Sequence, residues 1–275
     1  MLRFVLAGPK GTGKSSIYSH LSPQATGSTK SGASQTIPIP MTLFSVVTLD
    51  FPSAITQRDS IPQVLSNAHA IIYCMKNPKD ENLQQLKSLL TSCGLNPKQY
   101  ILLHQIDRIE KEEQAQKIEE SKQTAESVGI PHNHCFATSL FDGSLKRSFS
   151  QILADFLPQY TKLTRCVRNL ASSFHPCHII IVDAATFLPI YDSDPEKGEQ
   201  PQPIFDFFLR IYSRKNPMKT LMFECNSSVV VYTALSKTTG IFVSSTNENA
   251  ITTDAILFNV QRALPTLREL VKPEL

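Results

Sequence analysis

Residues 8–15 read Gly-Pro-Lys-Gly-Thr-Gly-Lys-Ser, directly behind the apolar run Arg3–Ala7. This is the pattern G-x-x-x-x-G-K-[ST] in its required context, a strand before and a helix after. Few short stretches constrain a fold more. A buried strand must end at Gly8, a tight glycine-rich turn must follow, and a helix must open at Lys14. The glycines let backbone N–H groups turn inward, and the helix N-terminus adds positive potential, so the turn suits phosphate. A lysine at position 14 can reach phosphate oxygens, and a hydroxyl at position 15 is a hard ligand of the kind Mg²⁺ takes. The expected phosphate contacts are Gly8, Gly11, Gly13, Lys14, Ser15 and Ser16. An ordinary glycine-rich turn is the bland alternative, and the flanking strand and helix argue against it.

Strand and helix signals alternate from there. Arg3–Ala7, Met41–Leu49, His69–Met75, Tyr100–His104 and His134–Thr138 read as strands. Helices are expected from Lys14 to about Leu21, over Asp80–Cys93, over Glu110–Val128 and over Ser144–Leu157, each with apolar residues at helical spacing or with a terminal glycine. Residues 22–40 are rich in Ser, Thr, Gly and Pro and read as a loop. Such alternation predicts an α/β domain with a mostly parallel sheet covered on both faces. After about residue 163 the pattern becomes α+β. Strands are expected over His178–Asp183, Phe187–Tyr191, Thr220–Cys225, Ser228–Leu235 and Gly240–Ser244. A short amphipathic helix is expected over Ile204–Tyr212, and a closing helix over Asp254–Val271, capped by Thr253 and kinked at Pro265. The expected domains are 1–163 and 164–275.

Composition narrows the class. At 41% hydrophobic and 19% charged, the 275 residues suit a globular chain with a core. A net charge of +3 gives no argument for nucleic acid or a membrane surface. The apolar runs are strand-sized, so no direct membrane insertion is expected. The chain enters a strand pattern at once, with no leader pattern ahead of it. Six scattered cysteines without a Cys-x-x-Cys pair read as reduced thiols of a cytoplasmic protein.

Three further stretches extend the phosphate motif. Asp50 ends the strand before Phe51-Pro52-Ser53, where a P-loop protein places the carboxylate that holds Mg²⁺ through water. His104-Gln-Ile-Asp107 ends a later strand. A carboxylate at 107 can accept from both guanine N1–H and the exocyclic amine, a donor pair that adenine lacks; a capping Asp ahead of the next helix is the plain alternative. Thr138 and Ser139 close the last strand of the sheet, where backbone N–H groups can meet a base. His132-Asn-His134-Cys135 and His175-Pro-Cys177-His178 tempt as metal ligands, yet neither has a second matching pair. Phe205, Phe207, Phe208 and Tyr212 read as core, with a dimer face as the alternative.

On these residues the chain resembles the Rag family of Ras-related small GTPases, and looks closer to the C/D-type branch. The resemblance runs through Gly13-Lys14-Ser15-Ser16-Ile17, Leu21-Ser22-Pro23, Leu49-Asp50-Phe51-Pro52, the histidine of His104-x-x-Asp107, and Phe136–Asp142 on to Leu157-Pro158. The downstream α+β part looks like a roadblock-type dimerisation domain. The resemblance implies binding of GTP/GDP with Mg²⁺, guanine recognition by His104 and Asp107, and slow GTP hydrolysis with no catalytic residue assigned. It implies a heterodimer with an A/B-type Rag subunit through residues 164–275. It further implies a scaffold complex at the lysosomal or vacuolar membrane, and signalling of amino-acid supply to the target-of-rapamycin kinase complex.

The chain also departs from the family. Ser53 stands where a glycine is usual, no glutamine follows at once (Gln57 is the nearest), and Gln105 replaces a lysine. Thr29 and Thr36 are the threonine candidates for Mg²⁺ in the loop 26–36. Two other readings stay open: a pseudo-GTPase scaffold that works only as a heterodimer partner, and a P-loop ATPase or kinase.

Overall fold

The computed structural model describes residues 1–21, 43–51, 61–173, 177–194, 219–225, 228–246 and 252–272. The chain divides into two compact units, which part between Ile152 and Leu153, with Leu43 belonging to the second.

The first unit is built on β1 (Leu2–Gly8), β2 (Phe44–Asp50), β3 (Ala70–Met75), β4 (Lys98–His104) and β5 (Cys135–Thr138), with helices α1 (Lys14–Leu21), α2 (Ile61–Ser66), α3 (Glu81–Ser92), α4 (Lys111–Ser127) and α5 (Ser144–Ala154). The strands form one sheet in the order β2-β1-β3-β4-β5, and every adjacent pair is parallel. A parallel sheet is covered on both faces, which is why its strands read as apolar runs rather than alternations. All six residues of β3 are buried. Val5, Val47, Ile71, Tyr73, Ile101 and Leu103 join Leu83, Leu86 and Leu90 of α3 in one core cluster. On the alternate positions, Phe4 stacks on Phe44 at 5.3 Å between ring centroids. α3 is capped by Asp80, which accepts from the N–H of Asn82. The short helix α2 carries too few turns to show a period, and the sequence does not announce it.

In the second unit, α6 (Tyr160–Ser172) precedes β6 (Cys177–Asp183), β7 (Pro189–Asp192), β8 (Thr220–Cys225), β9 (Ser228–Ala234), β10 (Thr239–Thr246) and the closing helix α7 (Thr253–Leu270). The sheet runs β7-β6-β10-β9-β8, antiparallel at every step. α6 packs on α7 and β6, and α7 on β9. Ile180, Val182, Phe187, Val230, Tyr232 and Phe242 form a buried cluster. Asp183, wholly buried, ends β6 and accepts from the N–H groups of Leu43, Ala185 and Thr186 and from the Thr186 hydroxyl. Burial raises its carboxyl pKa.

Helix α6 lies across the boundary expected at residue 163, so the second unit begins about ten residues earlier than the sequence suggests. The cap of α7 is Thr252, whose side chain accepts from Ala255 N–H, rather than Thr253. The helix runs on past Pro265 to Leu270. The expected helix Ile204–Tyr212, with Phe205, Phe207, Phe208 and Tyr212, lies outside the described residues. Among the described residues no helix is long and apolar enough to cross a membrane.

Gly240 faces the ring of Tyr232 in the second sheet. A Cβ there would stand 2.3 Å from the ring of Tyr232, which is itself 2% exposed and has no room to withdraw. Gly240→Ala should therefore destabilise the chain by about 1–3 kcal/mol, the usual cost of overpacking. Denaturant unfolding would measure it.

Candidate nucleotide-binding site

The glycine-rich turn lies at the carboxyl edge of the parallel sheet. Gly8 is the last residue of β1 and is in register with Asp50, the last of β2. Its carbonyl accepts from Phe51 N–H at 2.9 Å. Gly8 must be glycine: its φ is +143°, and a Cβ would fall 2.2 Å from the carbonyl oxygen of Cys74 on β3. Cys74 is fully buried, which pushes its thiol pKa up to about 12, so it serves as packing rather than as a nucleophile.

Helix α1 opens at Lys14, with Ser15 and Ser16 exposed in its first turn. The Lys14 ammonium donates to the carbonyls of Gly8 and Pro9 at 2.7 Å each and lies 2.9 Å from Asp50 Oδ1. Thr12, which the sequence reading passed over, donates its hydroxyl to Pro9 O at 2.9 Å and fixes the turn beneath Lys14. Lys14 is 4% exposed and Asp50 59% exposed. The cation is thus anchored inside the loop, while the carboxylate reaches into water.

The other half of the site comes from the ends of β4 and β5. His104 and Thr138 are register partners, and His104 Nδ1 pairs with Thr138 Oγ1 at 3.0 Å. His104 packs on the phosphate loop: a Cβ on Gly13 would meet its Cδ2 at 2.6 Å and the Gln105 amide nitrogen at 3.1 Å. Gly13 (φ +93°) is therefore the point where the loop and the His104 motif touch. Gln105 takes a left-handed backbone, φ 66°, which turns the chain into the short helix Ile106–Arg108. Two buried polar atoms here, His104 Nε2 and Gln105 Oε1, have no hydrogen-bond partner among the described residues. Asp107 sits exposed in the short helix. The Ser139 N–H is committed to Ser144 Oγ, and Ser139 Oγ accepts from Phe141 N–H. So Thr138 supports His104, and Ser139 braces its own loop.

Gly8, Gly13, Lys14, Asp50, His104 and Thr138 thus come together on one edge of one sheet. Thr29, Thr36, Ser53 and Gln57 lie outside the described residues. Of the tempting histidines, His175 lies outside the described residues and the other three have ordinary roles. His132 pairs with Glu126 at 2.9 Å, His134 hydrogen-bonds Gln99 O and stacks on Tyr100, and His178 pairs with Asp192. Among the described residues no group of three or more His, Cys, Asp or Glu could hold a metal ion.

A glycine-rich strand-to-helix turn with a buried lysine, on a parallel sheet, defines a P-loop α/β domain. Comparison with known proteins is specific. The conserved region of Gtr1/RagA G proteins matches residues 3–249, and the chain belongs to that family. It is 24% identical over 162 residues to GTP-binding protein GTR1 of Saccharomyces cerevisiae, covering 55% of this chain and 52% of that protein. It is 24% identical over 142 residues to Ras-related GTP-binding protein B of Rattus norvegicus, covering 49% of this chain and 37% of that one. It is 23% identical over 222 residues to Ras-related GTP-binding protein A of Dictyostelium discoideum, covering 76% and 72%. The match thus spans about half the length of the yeast relative. A crystal structure of a probable GTP-binding protein engB aligns with 55% of this chain and 97% of its own, at 14% identity and a TM-score of 0.41.

Burial lowers the pKa of His104, against a smaller opposing pull from Asp107. A histidine in the unfolded chain titrates near 6.5, so below about that pH the unfolded state binds a proton that folded His104 resists. Stability contributed at this position is present above the unfolded value and lost as pH falls through the folded one. The unfolding midpoint should drop between pH 7 and pH 5 more steeply in the wild type than in His104→Asn, measured by denaturation across that range.

Proposed function

We propose that the chain is a Rag-type guanine-nucleotide switch. The observation that carries this reading is the contact of His104 and Gln105 with Gly13, which sets a base-reading motif directly against a phosphate loop. Gly8, Gly11, Gly13, Lys14, Ser15 and Ser16 take the phosphates. His104 and Asp107 take the guanine, with Thr138 and Ser139 behind them. Mg²⁺ is held by Ser15 and, through water, by Asp50. Both offer hard oxygen to solvent, the donor type this ion takes, and Thr36 is the further candidate. When bound, the ion neutralises charge on the phosphates. Lys14, held by the Gly8 and Pro9 carbonyls beside Asp50, would supply positive charge to the phosphates. Hydrolysis of GTP is slow and accelerated by a partner, as is ordinary for this class.

The second unit acts as the roadblock-type dimerisation module. Its antiparallel sheet, with one helix before it and one after, supports that role. The partner is a second Rag subunit bound through residues 164–275. Two of the relatives reported above carry the names A and B, which fit the A/B-type partner of such a dimer and lend the C/D-type placement of this chain no support. The dimer acts at the lysosomal or vacuolar membrane through a scaffold complex and signals to the target-of-rapamycin complex. Two features favour a second reading, a pseudo-GTPase scaffold: Ser53 occupies the place of the glycine that serves the γ-phosphate, and Gln105 replaces a lysine. Asp107 argues against an adenine-specific ATPase or kinase.

Asp107→Asn should weaken GTP binding at least tenfold and improve binding of xanthosine triphosphate, because the donor and acceptor requirement at the base edge inverts. Competition binding of the two nucleotides reads it. Unchanged GTP affinity would remove the base-recognition argument. No binding of any nucleotide to the wild type would leave the scaffold reading.

A further inference from the structure

Helix α6 carries Lys162, Arg165 and Arg168 and no acidic residue. The bias is wider than the helix: from 156 to 182 the sequence contains no Asp or Glu. Elsewhere the charges are mixed. On α4, Lys111, Lys117 and Lys122 are interleaved with Glu112, Glu113, Glu119, Glu120 and Glu126, the ordinary pattern of a solvated face. The chain holds 27 Lys and Arg against 24 Asp and Glu. Without the three cations of α6 the remainder is balanced, so the net charge of +3 is the charge of this one helix. As a sum over the chain +3 is small; on one helix it is a concentrated field.

Geometry turns the run into a stripe. At a spacing of three residues each cation is rotated only about 60° around the helix axis from the one before, and the set spans about 9 Å along it. Leu163, Val167 and Leu170 are buried, whereas all three cations are exposed. Lys162 Nζ donates to the neutral Gln159 Oε1, and none of the three forms an ion pair with a described residue. The acid that acts on this helix, Asp192 near Tyr160, is already paired with His178. Like charges on neighbouring turns repel, so the stripe costs the helix stability that an interleaved glutamate would restore.

The rest of the face says what it fits. Thr161, Asn169 and Ser172 are its other exposed residues. A specific protein interface is built around buried apolar or aromatic anchors, and this face offers none between Thr161 and Ser172. A layer of anionic headgroups needs no pocket and attracts by charge alone. We propose that α6 lays its Lys162, Arg165 and Arg168 stripe on an anionic phospholipid surface, as a peripheral contact with no side chain inserted. Three cations fall short of stable anchoring, so the stripe orients a chain that a second contact holds at the membrane. The proposal goes beyond the guanine-nucleotide reading and does not depend on it.

The test sediments the full chain with phosphatidylcholine vesicles, with and without about one third phosphatidylserine. Wild type should bind the anionic vesicles and not the neutral ones, and lose that binding as salt is raised. Each cation near such a surface contributes about fivefold, so the triple variant Lys162→Gln, Arg165→Gln, Arg168→Gln should bind about 100-fold more weakly. Its thermal midpoint should not fall, because the three side chains lie outside the core. A second triple variant, Lys79→Gln, Lys111→Gln, Lys237→Gln, removes the same charge from exposed positions elsewhere and should bind much as wild type does. Equal binding of wild type to both vesicle types, binding to neither, or equal losses in the two triple variants would overturn the proposal and leave the stripe to an acidic protein. GDP binding by the same preparations reads the nucleotide site separately.

Discussion

The contact between Gly13 and His104 is the constraint on which the rest of the first unit depends. For the two to touch, the glycine-rich turn must leave β1 at a fixed height, β4 must end level with it, and position 13 must lack a side chain. Each condition has a visible cause. Gly8 passes the carbonyl of Cys74 at a distance that admits no Cβ, so β1 and β3 are locked together where the turn begins. The Thr138 hydroxyl holds His104 from the far side. The apolar strands below exist to make this edge rigid, and the chemistry is carried by what stands above it.

Lys14 shows how charge is managed at such an edge. An ammonium buried without partners would be costly. Here two backbone carbonyls satisfy it inside the loop, and Asp50 balances it from the solvent side. The pair is half in water, so its worth to stability is small. Its worth is in placement, since it holds a cation where anionic oxygens would be received. The same economy appears in the second unit. The buried Asp183 carboxyl accepts four hydrogen bonds, which offset part of its desolvation and fix the turn at the end of β6.

Much of this was legible in the sequence, and the misses have physical reasons. Parallel strands buried on both faces read as apolar runs, so β1, β3 and β4 were plain. The Gly8–Ser15 pattern demanded its strand and helix. Helix α6 keeps a helical period in Leu163, Val167 and Leu170, yet the sequence hides it, because the shift from α/β to α+β patterning falls inside it. The cap of α7 was off by one residue, since Thr252 and Thr253 are chemically equivalent in sequence and only backbone geometry separates them. The abutment of His104 on Gly13 could not be read at all. It depends on the register of strands more than 90 residues apart. The left-handed turn at Gln105 carries no glycine or asparagine to announce it, and is imposed by the need to leave β4 toward Asp107.

The central claim is that this edge holds a guanine nucleotide. The most direct test is to purify the full chain without added nucleotide, denature it, and resolve what it releases by chromatography. The account predicts GDP or GTP in near-stoichiometric amount, with GTP converting slowly to GDP on standing. Release of an adenine nucleotide, or of none from a chain that also fails to take up added GDP, would contradict it.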